Sequence, residues 1–415
     1  MATKSVVMVC STSSFVDGIG DGTLETINSP KAVMMSAARV CAIAVLALAL
    51  AMGIGRFAFT PLLPLMIRDG LLPGNGGAWL ASANYLGYML GAAWAGSLAL
   101  PAVRQLQASL LGIVVLTLAM ALGESLLAWT ALRFAAGVLS AWAMVATSAW
   151  ALQALAQSNR SGLAGVVYGG VGLGIALAGL FCLFAARPGV GSPRLWLELG
   201  MLAALLAAAA LFLLGPSPPP ATMTRMDARG SIPRGCGVLV LCYGLFGFGY
   251  ILPATYLPAL ARTFVDDPQR FGLAWPLFGM AAAISTLLAA WALRYANRLR
   301  LWAACNLLMA VGAVLPSLWP TLTAIVIAAL LVGGTFMIAT MIGLQEARAR
   351  APTAPTALLG RMTSSFGLGQ TLGPLTSAAF AYLPISSGAA LDFALQLAGL
   401  GLVLSAVLLW RMAGH

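Results

Sequence analysis

Charge is what this sequence has least of. Of its 415 residues only 8% are charged, while 61% are hydrophobic. Soluble domains average about 25% charged and about 45–50% apolar. A chain this apolar cannot cover its surface with polar groups, which excludes an ordinary water-soluble domain. Histidine is almost missing: His415, the last residue, is the only one. That rules against histidine-ligated metal centres and His-dependent triads. The cysteines, Cys10, Cys41, Cys182, Cys236, Cys242 and Cys305, form no C-x-x-C pair and mostly sit inside apolar runs. They read as small hydrophobes rather than as a disulfide framework. Carboxylates are missing from the middle of the apolar runs; Glu124, Glu198 and Asp392 all fall near run ends. A polytopic membrane enzyme would need clustered His, Asp or Cys at the membrane edge, and none is seen. No enzymatic activity, cofactor or metal is expected.

What is present is a succession of long apolar stretches. A helix needs about 20 such residues to cross the hydrocarbon core of a bilayer. On that basis the sequence divides into twelve spans. The first six are 38–66, 78–100, 107–127, 128–154, 163–186 and 195–214. The second six are 236–261, 271–295, 300–318, 320–344, 358–382 and 391–411. Between the two sets lies "GPSPPPATMTRMDARGSIPRG", Gly215 to Gly235, whose prolines, glycines and charges mark a linker. Residues 1–35 are polar and Ser/Thr/Gly-rich, and Met34 or Met35 is an alternative start. The expected organisation is a tail at 1–35, a bundle at 36–214, a linker at 215–235 and a second bundle at 236–412.

The net charge of +11 does not point to nucleic acid, because the basic residues sit in the gaps between apolar runs. Most fall on the side of the N-terminus, including Arg39, Arg104, Arg160, Arg298, Arg300, Arg348, Arg350 and Arg411; Arg68, Arg187, Arg194, Arg262 and Arg270 fall on the other. The positive-inside rule then puts both ends of the chain in the cytoplasm.

The two halves resemble each other. "GIGRFAFTPLLP" from Gly53 matches "GFGYILPATYLP" from Gly247, and "GLGIALAGL" from Gly172 matches "GLGQTLGPL" from Gly367. The offsets, about 194 and 195 residues, nearly agree, as a diverged duplication requires. Six spans per copy give the copies the same orientation, related by an axis along the membrane normal. Polar residues spare the third, sixth, ninth and twelfth spans and concentrate in the others. Polar groups in lipid are tolerated where they face protein or water. The pattern therefore predicts a central cavity, with those four spans outside it. Tryptophans near span ends, Trp79, Trp129, Trp196 and Trp319, are expected in the interface belts.

These features, with "NYLGYMLGA" from Asn84, "RFAAG" from Arg133 and "GGVGLGIALAG" from Gly169, resemble the major facilitator superfamily, and within it the YbfB/YjiJ-like branch. The resemblance covers residues 36 to 412. It implies an all-α membrane protein, twelve helices in two six-helix bundles, working by alternating access in a bacterial cytoplasmic membrane. The superfamily's loop motif departs from its pattern here. "LALPAVRQLQ" keeps Arg104 without the usual acid, and "ALRYANRLR" has Asn297 where the acid is expected. A charge relay of the usual kind is not expected.

Arg56 is the residue that demands a reason. A guanidinium at the centre of a span costs about 2.5–3.5 kcal/mol on insertion scales, which several leucines offset. Three readings compete: binding an anionic group of a substrate, capping carbonyls left free beside Pro61 and Pro64, or modulating a proton-coupling acid. The substrate reading is preferred. Arg133 is read equally as a partner of Glu124, or a snorkelling side chain, and as the cavity-side coupling arginine of the resemblance. The candidate substrate-binding set is Arg56, Thr60, Asn84, Tyr85, Tyr88, Arg133, Tyr243, Tyr250 and Gln370, with Glu124 and Arg133 as coupling candidates. The chain is expected to be a monomer in the lipid bilayer, carrying a small organic solute, with the proton as the coupling ion to test. A multidrug or metabolite exporter of the same fold, or a receptor derived from it, is the alternative.

Overall fold

The computed structural model describes residues 35–73, 76–95, 100–123, 125–187, 189–215, 235–264, 272–293, 296–351, 355–382 and 386–414. The expectations about the 1–35 tail, the start site and most of the linker lie outside the described residues, as does Glu124. Contacts separate Met1–Met35 from Ser36–His415. The second unit holds all the helices among the described residues.

Every regular element among the described residues is helical, and together they make twelve rods. The first half has α1 (Ala37–Arg68), α2 (Gly76–Ala95), α3 (Ala102–Met120), α4 (Leu126–Gln157), α5 (Ala164–Ala185) and α6 (Ser192–Leu214). The second has α7 (Gly237–Phe264), α8 (Ala274–Ala292), α9 (Arg298–Leu318), α10 (Leu322–Arg350), α11 (Pro355–Phe380) and α12 (Ser387–Met412). Several begin at a side-chain cap: Ser36, Ser125, Asn297, Thr321 and Ser386 each accept from a backbone N–H of the first turn. The twelve expected spans are all present. The largest differences are at α3, which runs from Ala102 to Met120 and not over 107–127, and at α10, which runs past its apolar stretch to Arg350. The Glu346–Arg350 pair, one helical turn apart at 3.0 Å, supports these extra polar turns.

Nine of the rods are long and apolar enough by themselves to cross a membrane; α2, α8 and α11 are not among them. All three take part in joining the halves: α2 packs on α11, and α8 packs on α5. On a face packed against protein, a helix can carry glycine and hydroxyl groups that lipid would penalise. The third contact between halves is made by α7 with the last segment of α1, Phe59–Arg68.

The internal repeat extends to the packing. In the first half a Cβ on Gly137 of α4 would strike the Asn84 carbonyl of α2. In the second, a Cβ on Gly333 of α10 would strike the Phe278 carbonyl of α8. Likewise Gly53 of α1 lies against the backbone of Gly174 on α5, and Gly369 of α11 against that of Gly244 on α7. Equivalent helices of the two six-helix bundles touch through glycines, as the repeat leads one to expect. Helices α3, α6, α9 and α12 lie outside, with side chains such as Leu122, Phe212, Leu318 and Leu400 exposed.

Two tryptophan expectations fail. Trp79 and Trp319 are half exposed, but Trp129 and Trp196 are buried. The Trp129 indole folds back over Gly123, where a Cβ would collide with the ring, and donates to the Met120 carbonyl at 3.1 Å. Nearness to a span end does not fix which way a ring points.

Candidate functional site

The middle of α1 is not an α-helix. Residues Ala49–Phe57 form a nine-residue π-helical segment, and every one of them is buried. Gly53 and Gly55 let the neighbouring helices close on this wider turn. Pro61 stands five residues after Arg56 and has no N–H to close a π-type bond to the Arg56 carbonyl. Other helices serve these carbonyls instead. Ser140 donates to Ala51 O at 2.8 Å. Arg133 donates from Nη1 to Gly55 O at 3.1 Å and from Nη2 to Arg56 O at 2.7 Å. Asn84 Nδ2 donates to Arg133 O at 2.9 Å and to Gly55 O at 3.4 Å.

Arg133 is therefore a backbone cap. It does not snorkel: it is 3% exposed, with its guanidinium carbon 5.1 Å from the Phe59 ring centre. The role of carbonyl cap, one of the readings for Arg56, is carried by Arg133.

Arg56 itself is 2% exposed and lies between the halves, not against lipid. Its guanidinium carbon lies 3.8 Å from the Tyr88 ring centre and 5.3 Å from those of Tyr85 and Phe57. Desolvated cation–π contacts are worth about 2 kcal/mol or more, which offsets part of the burial cost. Nη2 donates to Gln370 Oε1 on α11, and Gln370 Nε2 donates to the Tyr250 hydroxyl on α7. Arg56 Nε has no partner. The described ion pairs are Arg68–Asp69, Arg194–Glu198, Arg298–Glu346 and Arg350–Glu346. Among the described residues no carboxylate pairs with Arg56 or Arg133. Further buried polar atoms without partners include Asn84 Oδ1, Arg133 Nε, Trp142 Nε1 and Thr147 Oγ1 in the first half and Trp275 Nε1, Trp302 Nε1 and Asn306 Oδ1 in the second.

The second half faces Arg56 with rings. Tyr250 stacks on Phe336 at 5.3 Å and 4°, and on Phe366 at 5.7 Å and 14°. Tyr243 touches Phe246, Trp302 and Phe366, one ring removed from Tyr250. Of the expected site residues, Arg56, Tyr85, Tyr88, Tyr250 and Gln370 converge. Asn84 and Arg133 stand behind them on the backbone of α1. Thr60 donates across to Ala254 O at 3.3 Å, a carbonyl that Pro258 cannot serve. At the level of Arg56 the two halves meet: Gln370 has no exposed surface, while Tyr88, whose ring lies on the guanidinium, stays partly exposed. Thr255, which shares a 2.9 Å hydrogen bond with the Tyr85 hydroxyl, and the rings of Phe336 and Phe366 escaped the sequence reading.

A second polar group lies at the far end of α10. Glu346 is 7% exposed and pairs with Arg298 at 3.1 Å and Arg350 at 3.0 Å. Beside it is a cavity of about 570 Å³ lined also by Asn297, Gln345 and Met412. Asn297 caps α9, accepting from Leu299 N at 3.0 Å and Arg300 N at 3.2 Å. The acid missing from the loop motif is thus supplied by another helix; the spacing of "EARAR" was its signal.

A family model described as "Uncharacterised MFS-type transporter YbfB" matches residues 48–410. The chain belongs to that family. As an MFS-type transporter it is a multi-pass membrane protein that carries solutes and not an enzyme. No curated protein matches it by sequence. Among solved structures it is similar to a crystal structure of the nucleoside transporter NupG, with a TM-score of 0.70 and 12% identity, covering 90% of this chain and 99% of that one. At that identity the likeness speaks for the MFS fold alone.

Proposed function

We propose that the protein moves a small organic anion across the bacterial cytoplasmic membrane by alternating access, with Arg56 as the residue that holds the anionic group. The observation behind this reading is the buried guanidinium between the two bundles, with no carboxylate paired to it among the described residues. An unpaired buried charge is costly, and Arg56 keeps a free Nε beside the bond to Gln370. A carboxylate in the plane of the guanidinium would take both donors at once. Of the two buried arginines, Arg133 has both terminal nitrogens on backbone, which leaves Arg56 as the one to meet a single anionic group on the ligand. Tyr88, Tyr250 and the adjoining rings favour a flat body for that ligand.

The moving bodies in this reading are residues 36–214 and 236–412, joined by the 215–235 linker, in a monomer with both ends in the cytoplasm. Cross-half bonds gather on one side of Arg56: Thr60 to Ala254 O, Arg262 to Pro64 O, Ser82 to Thr371 O at 3.0 Å, and Tyr85 with Thr255. The positive-inside orientation makes that the external side, closed in this state. A cationic drug is disfavoured as cargo by two buried guanidiniums. A neutral flat solute is the second reading, favoured by the ring stack of Phe336, Tyr250 and Phe366.

The test is a thermal-shift screen of purified protein against organic anions, cations and neutral solutes, followed by counterflow in proteoliposomes. Arg56→Ala is expected to fold and to lose its response to anions; Arg56→Lys is expected to weaken it about tenfold, since an ammonium cannot match a planar anion with two donors. Anion responses that persist in Arg56→Ala would refute the assignment. Binding without counterflow would make the protein a receptor. Counterflow with and without a pH gradient separates exchange from proton linkage.

A further inference from the structure

Gln370 bonds both Arg56 and the second half's ring cluster, and among the described residues no other side chain is seen to do so. Its amide oxygen accepts from the guanidinium of the first bundle, and its amide nitrogen donates to Tyr250 of the second. In the repeat, "GLGQTLGPL" puts this amide where "GLGIALAGL" has Ile175. The polar group is thus particular to one copy, placed where the halves meet. The next residue, Thr371, gives its carbonyl to Ser82 of the first half at 3.0 Å. One turn of α11 therefore holds Arg56 and helps seal the external side.

A neutral amide oxygen is a weak mate for a buried guanidinium. Charge-assisted hydrogen bonds are roughly twice as strong as neutral ones, so a carboxylate would displace it. A glutamate at this position would neutralise Arg56 permanently, and an apolar residue would leave Arg56 without its tie to the second bundle. We infer that Gln370 holds the anion's place in the empty transporter: it ties the bundles through Arg56 until an arriving carboxylate takes the guanidinium from it and releases the closure. This rests on the anion reading above and adds to it the residue that couples binding to opening.

The full chain in nanodiscs, with spin labels at Leu122→Cys and Leu318→Cys, two exposed positions at the external ends of α3 and α9, reports the separation of the halves. Wild type, Gln370→Glu and Gln370→Met are compared at pH 7 for label distance and Tm, without solute and with benzoate or its neutral amide as probes. Gln370→Glu is expected to raise Tm by several degrees, narrow the distances to the closed state and abolish the benzoate response. Gln370→Met is expected to lower Tm, broaden the distances and respond at about tenfold lower benzoate concentration. Equal loss of Tm in both variants would make Gln370 a packing residue and overturn the inference. A gain in Tm for Gln370→Glu, with a wild type that ignores benzoate and every anion of the screen, would overturn the place-holding role and the anion reading while leaving the tie itself.

Discussion

At the scale of single residues, two arginines of similar burial do different work. Arg133 spends its fork on two carbonyls of α1, and only a planar two-nitrogen donor can reach both at once. Hydrogen bonds from charged groups are worth about 1.5–3 kcal/mol each. Stability is therefore expected to fall from wild type to Arg133→Lys to Arg133→Ala in detergent melts; an alanine variant as stable as wild type would mean that burying the guanidinium costs more than its bonds return. Asp69 gives a prediction in pH. Burial pushes its carboxyl upward, but hydrogen bonds from Arg68 at 2.8 Å and from Ser192 N at 2.6 Å outweigh it, and the pKa is lowered. A lowered folded-state pKa contributes stability above the unfolded value of about 3.9 and loses it as pH falls through the folded value. The Tm gap between wild type and Asp69→Asn should be constant above about pH 5 and shrink below about pH 4; a gap unchanged down to pH 3 would refute the pairing. Sequence alone singled out Arg56 because a mid-span charge is conspicuous. It did not reveal the cap made by Arg133, since nothing in "RFAAG" tells which carbonyls lie opposite.

At the scale of helices, glycines set how closely the rods approach. Gly137→Ala would drive a methyl group into the Asn84 carbonyl, and Gly333→Ala into that of Phe278. Backbone cannot step aside as a side chain does, so each change should cost about 1–3 kcal/mol or more. Gly237→Ala, with nothing within 4 Å of the added carbon at the start of α7, should instead be neutral or gain up to about 1 kcal/mol. Tm and the yield of monodisperse protein check the contrast, and equal behaviour of the three variants would dissolve the argument. The rods themselves were readable from apolar runs, because lipid demands a length. The π segment of α1 was not. It depends on donors from α2 and α4 to carbonyls that a lone helix would satisfy internally, and the G-x-G before Arg56 was read only as a mark of the repeat.

At the scale of the whole molecule, the duplication, the outer position of α3, α6, α9 and α12, and the order of the helices were all legible, because each follows from where a chain can afford polarity in a bilayer. Which side is closed was not legible, since both states share one sequence and differ in contacts worth a few kcal/mol. The cross-half bonds make that state testable. Ser82 on α2 meets the Thr371 carbonyl on α11 at 3.0 Å, so cysteines introduced by Ser82→Cys and Thr371→Cys should be joined by a short bifunctional thiol reagent without added solute. If the bundles must part there for cargo to enter, the joined protein should lose counterflow, and a reducible reagent should restore it on cleavage. Under the proposal that an anion draws Arg56 from Gln370 and opens this side, the same pair should react more slowly when a transported anion is present. Full counterflow in the joined protein would mean that this face never opens, and the bundles would then need another route for the solute than the one between α2 and α11.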